Sequence, residues 1–98
     1  MKILRIYADE SGESHFEDME IEMEEDGALS RKSAIWPVQD VHFRQIAPGG
    51  SAEWHPAPRR QFAIVLSGES NFEASDGSVR HISPGQAFLV EDTHGKGH

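Results

Sequence analysis

The chain has no cysteine among its 98 residues. That removes disulfide frameworks, thiolate zinc sites, iron–sulfur ligation and cysteine nucleophiles at once. Long apolar runs are also missing. The longest, Phe62–Leu66, has five residues, against the roughly 18 a membrane span needs. The opening stretch Met1–Tyr7 is broken by Lys2 and Arg5 and runs into Asp9 and Glu10, which is no secretory apolar region. A soluble cytoplasmic protein with no membrane partner is therefore expected. Basic residues are few, 9 against 17 acids, and they form no stripe, so nucleic acid is not an expected partner. The length admits one domain, residues 1–98, with a single core.

What charge there is sits unevenly. Ten of the 17 acids fall within residues 9–26, which hold no base, while residues 27–98 carry seven of each sign. The protein reads as a near-neutral body with one acidic edge segment at 9–26. A solvated face explains that segment, and a docking surface for a basic partner is the sharper alternative.

Strand signals dominate. Lys2–Tyr7 is β-prone, and Met19–Glu24 alternates strictly, as a strand with one wet face should. Val41–Ile46 is a third candidate, stopped by Pro48-Gly49-Gly50. Phe62–Leu66 is apolar throughout and predicts a strand covered on both faces. Asn71–Ser75 and Ser78–Ile82 flank Asp76-Gly77, a two-residue hairpin signal, and Gln86–Val90 follows Pro84-Gly85. No amphipathic helix of useful length is present. Short strands with Gly or Pro punctuation about every ten residues predict an all-β sandwich or barrel.

The stretch Gly49–Gly68 holds the most chemistry. His55 lies between Trp54 and Pro56, Arg59-Arg60 offers planar donors for a carboxylate or phosphate, and Gln61 opens an apolar strand. Adjacent strand residues point to opposite faces, so at most one of the two arginines can face a cavity. His42 shares a face with Arg44 and is a candidate cavity residue. Trp54 is either core or a ligand platform. His15 and His81 read as surface, and His94 as a loop residue.

These residues resemble the cupin superfamily, small double-stranded β-helix (jelly-roll) barrels with a first motif G-x5-H-x-H-x3-4-E-x6-G and a second, G-x5-P-x-G-x2-H-x3-N. Gly49, His55, position 57, position 61 and Gly68 reproduce the first frame, residues 49–68, with Ala57 in place of the second His and Gln61 in place of Glu. In the second, residues 87–98, Gly95 and His98 match, Ala87 and Thr93 stand for Gly and Pro, and the frame is cut before its Asn. The wording His55–Gln61 with Glu91–His98 is similar to that of small bacterial cupins of uncharacterised activity.

The resemblance implies one divalent metal, iron, nickel, manganese or zinc, held by His55, Gln61 and His98. Two imidazoles and an amide oxygen can hold such an ion with water completing the shell. Loss of one ligand and of the only carboxylate weakens the site, and two histidines hydrogen-bonded in a polar interior are the competing reading. Most cupins continue past the second-motif histidine, so the barrel is expected to close with its N-terminal strand or with a neighbour's, and a homodimer is expected. The leading expectation is a barrel that binds a small polar or anionic molecule, with Trp54, Arg59, Arg60 and His42 as ligand-binding candidates. The alternative is a metal-dependent dioxygenase or isomerase of a small oxygenated metabolite. An interaction role resting on the acidic segment comes third.

Overall fold

A computed structural model describes all residues, 1–98. Eight strands and no helix make up its regular structure. They are β1 (Lys2–Ala8), β2 (Ser14–Glu20), β3 (Glu24–Glu25), β4 (Arg31–Lys32), β5 (Gln61–Ile64), β6 (Ser70–Glu73), β7 (Val79–Ile82) and β8 (Ala87–Glu91). The expected all-β architecture is present: a four-stranded sheet in the order β2-β1-β8-β5, and two hairpins, β3-β4 and β6-β7. With no helix at all, nothing in the chain is long and apolar enough to cross a membrane as a helix.

The sheet is organised around a parallel pair. β1 lies beside β8 with Leu4 opposite Phe88 and Ile6 opposite Val90, so the edge of β8 is covered by the chain's own N-terminal strand. Alternation sends Ile6, Phe88 and Val90 to one face, where the β6-β7 hairpin brings Phe72 and Ala74 and the loop before β5 brings Ala57. Phe88 meets both Phe16 (6.2 Å) and Phe72 (5.2 Å) at tilted angles, an arrangement that favours aromatic pairs. On the other face Ile3, Ile21 and Leu89 form a smaller cluster with Met19 and Met23. Beside it, Glu91 accepts hydrogen bonds from Arg5 Nε and Arg60 Nε, both at 2.7 Å. Burial works against the Glu91 charge, but those two arginines outweigh it and hold the carboxyl below its ordinary range.

The strand readings need four corrections. The Met19–Glu24 alternation is split: β2 ends at Glu20, and the chain turns where Ile21 N–H donates to the Met1 carbonyl. Val41–Ile46 forms no strand, has no pairing partner and is exposed throughout. Phe62–Leu66 is not covered on both faces, because β5 is an edge strand and Phe62, Ile64 and Leu66 are 38%, 62% and 73% exposed. The Asp76-Gly77 hairpin has a three-residue loop, not two. Ala74 N–H donates to Ser78 O, and Gly77 N–H closes a turn onto Ala74 O with Gly77 at φ 90°. This is a turn plus a glycine bulge.

The β1-β2 connection repeats that design, with Asp9 N–H to Glu13 O, Gly12 N–H to Asp9 O and Gly12 at φ 85°. His15 ties the two loops together. Its Nε2 lies 2.6 Å from Asp9 Oδ2 and its Nδ1 lies 2.9 Å from Asp76 Oδ2. Both ring nitrogens face carboxylate oxygens, so the imidazolium, with two N–H donors, satisfies both. Asp9 foremost and Asp76 next raise the His15 pKa above its ordinary 6.5. In return His15 is the main cause that lowers Asp9, while Asp76 is lowered first by the Ser78 hydroxyl and N–H and then by His15. A group with a raised folded pKa adds stability that is complete below its unfolded value and vanishes as pH rises through the folded one. Thermal melts should therefore show the wild type losing midpoint on the alkaline side of pH 6.5. His15→Gln should start lower and stay flat over that interval, and parallel curves for the two proteins would refute the clasp.

Candidate functional site

The C-terminal segment after β8 threads between the two loops just described and reaches the loop that precedes β5. Four backbone hydrogen bonds hold its far end: Lys96 N–H to Gly12 O (2.8 Å), Ser75 N–H to Gly97 O (3.1 Å), and a reciprocal pair between His55 and His98, 3.2 and 3.1 Å. Ala57 N–H to Asp92 O (2.9 Å) holds the near end. Such close passage demands glycine. Gly97 is buried at φ 82°, and a Cβ there would overlap the His55 carbonyl. At Gly95, φ 83°, a Cβ would overlap the backbone of Gly12. The sequence frame set Gly95 and His98 together by spacing, and the structure supplies the reason.

This threading brings two of the expected site residues together. The His55 and His98 rings lie 4.9 Å apart, inclined at 54°, with Phe72 6.3 Å from His98. His55 Nδ1 is 2.7 Å from the Glu53 carbonyl oxygen, which can only accept, so this nitrogen carries the proton. His98 Nδ1 is 2.7 Å from Asp92 Oδ2. In the neutral rings, both Nε2 atoms are then unprotonated and free to accept a hydrogen bond or bind an ion. His55 is exposed and His98 largely covered, its side chain 13% exposed.

Asp92, which the sequence reading did not single out, anchors this arrangement. It is fully buried, and Oδ2 also accepts from Ser14 Oγ at 3.1 Å, while Oδ1 has no partner in the chain. Ser14 is itself buried, and its N–H donates to Ser75 Oγ at 2.7 Å. One polar chain thus runs from β2 and the β6-β7 loop through Asp92 to the His98 ring. Beside it lies a shallow, open concavity of about 380 Å³ lined by Trp54, Ser75 and Lys96. Trp54 is 56% exposed, a surface aromatic and not core. Lys96 is paired with Glu13 at 2.8 Å, which raises its pKa.

The remaining candidates lie elsewhere. Gln61 is opposite Val90 in the β5-β8 ladder, half-buried on the core-facing side of the sheet. Arg60 is committed to Glu91 on the other side and sits over the Trp36 ring, 5.7 Å from its centroid. Arg59 pairs with Asp40 at 3.5 Å, with both side chains exposed. His42 is exposed in the strandless segment, and His94 is exposed as well.

The implied metal does not fit these residues as a complete site. Ala57 is packed in the core and offers no donor, and no three His, Asp or Glu side chains converge where they could hold an ion. The nearest carboxylate, Asp92, stands behind His98 on its Nδ1 side. Two imidazoles without a carboxylate remain, and no reaction step follows from them.

Compared with known families, residues 42–98 match the family model described as "Cupin domain". The match covers more than half of the chain, and the chain belongs to that family. No curated protein and no solved structure gives a match.

Two substitutions test the geometry. Asp92→Ala strands the His98 and Ser14 donors in a buried setting, at a cost of about 1–3 kcal/mol, and should release the His98 tautomer, read by ¹⁵N chemical shifts of the ring. Gly97→Ala should cost more than about 1 kcal/mol through its positive φ alone. Urea unfolding measures both, and a wild-type midpoint for either would contradict the packing described.

Proposed function

We propose that this cupin-domain protein binds a small polar molecule at the His55–His98 pair, with Trp54 as the flanking aromatic surface. One observation carries the reading. Two imidazoles whose centroids lie 4.9 Å apart each have Nδ1 already engaged, which leaves an Nε2 acceptor on each ring. Groups arranged in this way receive hydrogen-bond donors such as hydroxyl, amide or ammonium groups. An anionic ligand is less well served, since Arg59 and Arg60 are both paired with carboxylates and Lys96 is paired with Glu13. His42 and Gln61 have no part in this reading.

The metal-dependent enzyme, a dioxygenase or isomerase, is the second reading. What favours it is the carboxylate behind His98, because a ring held at Nδ1 by a carboxylate is the usual arrangement for a histidine that ligates through Nε2. Iron, nickel, manganese or zinc would then be held by His55 and His98, and the donors completing the shell would have to be water or substrate.

Metal analysis of untagged protein by mass spectrometry, with His55→Ala in parallel, separates the two readings. Under the binding reading, the wild type as purified contains well under one equivalent of metal and does not reload after chelation. Ligand-observed NMR with a panel of small polyols, amides, amines and carboxylates should then give hits that shift the His55 and His98 ring signals. Those hits should weaken at least about tenfold in His55→Ala, the loss of one good polar contact. Near-stoichiometric metal that disappears in His55→Ala transfers the case to the enzyme. Ligands that leave both rings unmoved place the binding site elsewhere.

A further inference from the structure

The exposed surface is far larger than a compact chain of this mass should have. It measures 7571 Å², whereas a folded monomer of 10.9 kDa is expected to expose about 5,600 Å². The radius of gyration, 14.8 Å, likewise exceeds the roughly 12.6 Å expected for this length. The excess is more than twice the roughly 800 Å² that each partner buries in a standard stable interface.

The excess includes a defined apolar face. On β5 and just beyond it, Phe62, Ile64 and Leu66 are uncovered, and Trp36 touches Phe62 edge-on at 5.3 Å. The five-residue apolar run Phe62–Leu66 has the composition of a strand covered on both faces, yet the chain covers only one of them. β5 is also a free sheet edge, and from Gln61 to Gly68 it carries no charge. The opposite edge, β2, carries Glu17, Asp18 and Glu20. Charged residues on an edge repel further pairing, and two copies with net charge −8 repel most strongly at their acidic edges. Like-to-like approach is least opposed at β5.

We infer that β5 and its bare face form the contact with a second copy of this chain, joined antiparallel about a two-fold axis. Charge at the ends of the strand supports that orientation. Arg59 precedes β5 and Glu69 follows it, with side chains 63% and 64% exposed. Each has a solvent-exposed partner in its own chain, Asp40 at 3.5 Å and His81 at 3.3 Å, which the contact between copies would have to displace or share. Antiparallel pairing brings the Arg59 end of each strand to the Glu69 end of the other. The contact is isologous and closed, so it stops at two copies. It does not depend on what the histidine pair binds.

Light scattering over a micromolar concentration series is the test. Wild type should have twice the chain mass, and Ile64→Glu, at a position exposed in the single chain, should return to the chain mass with an unchanged circular dichroism spectrum. Arg59→Glu should raise the dimer dissociation constant at least about tenfold, and Arg59→Glu with Glu69→Arg should restore it. A wild type at the chain mass throughout overturns the inference, as does a folded Ile64→Glu that stays dimeric. Growth beyond two copies overturns the closed two-fold. Should Ile64→Glu fail to fold, the charge-swap pair decides alone, and additive losses without restoration count against the interface.

Discussion

The buried carboxylate of Asp92 is the point at which separate parts of the chain are made to agree. Its backbone carbonyl fixes Ala57 in the loop before β5, one side-chain oxygen takes the Ser14 hydroxyl from β2, and the same oxygen orients His98. A fully buried carboxylate is costly unless hydrogen bonds satisfy it. Here Ser14 and His98, far apart in sequence, both bond Oδ2 while Oδ1 has no partner in the chain, so the conformation that gives the carboxylate its two side-chain bonds also assembles the histidine pair. Packing and site are therefore not independent layers. The Phe88 core brings β6-β7 onto the sheet, the β6-β7 loop presents Ser75, and Ser75 fixes both Ser14 and Gly97.

The sheet has two unlike edges, and its charges are divided accordingly. β2 faces water with carboxylates, while β5 does so with aliphatic side chains. Glu91, lying between them, gathers Arg5 and Arg60 onto one face of the sheet. The arginine that sequence spacing offered to a ligand is thereby spent on the scaffold, which moves the chemistry of the cavity side toward neutral hydrogen bonding.

Much of this was legible in the sequence, and the losses have physical causes. β1, β8 and the β6-β7 hairpin follow from β-prone runs cut by Gly and Pro, and His55 and His98 from the resemblance to the two cupin motifs. Val41–Ile46 has the same local character as a strand, but a strand exists only through its partner, and partners are not written locally. Asp92 sits in a run of polar residues and glycines that looks solvent-exposed, since nothing near it in sequence marks its burial. His15 reads as surface for the same reason: Asp76, which completes its clasp, lies 61 positions away. Alternation does predict that neighbouring arginines diverge, but not which carboxylate will claim each.

The parallel pairing of β1 with β8 has a consequence for how the fold is reached. Leu4 is opposite Phe88, so the central ladder joins the first strand to the last. Closing so long a loop costs entropy before any contact repays it, and topologies dominated by distant pairings fold slowly. Until β8 docks, β1 has only β2 beside it, and two strands alone are marginal in water. Glu17, Asp18 and Glu20 oppose further pairing at the β2 edge, which leaves the β1 edge as the one open to β8.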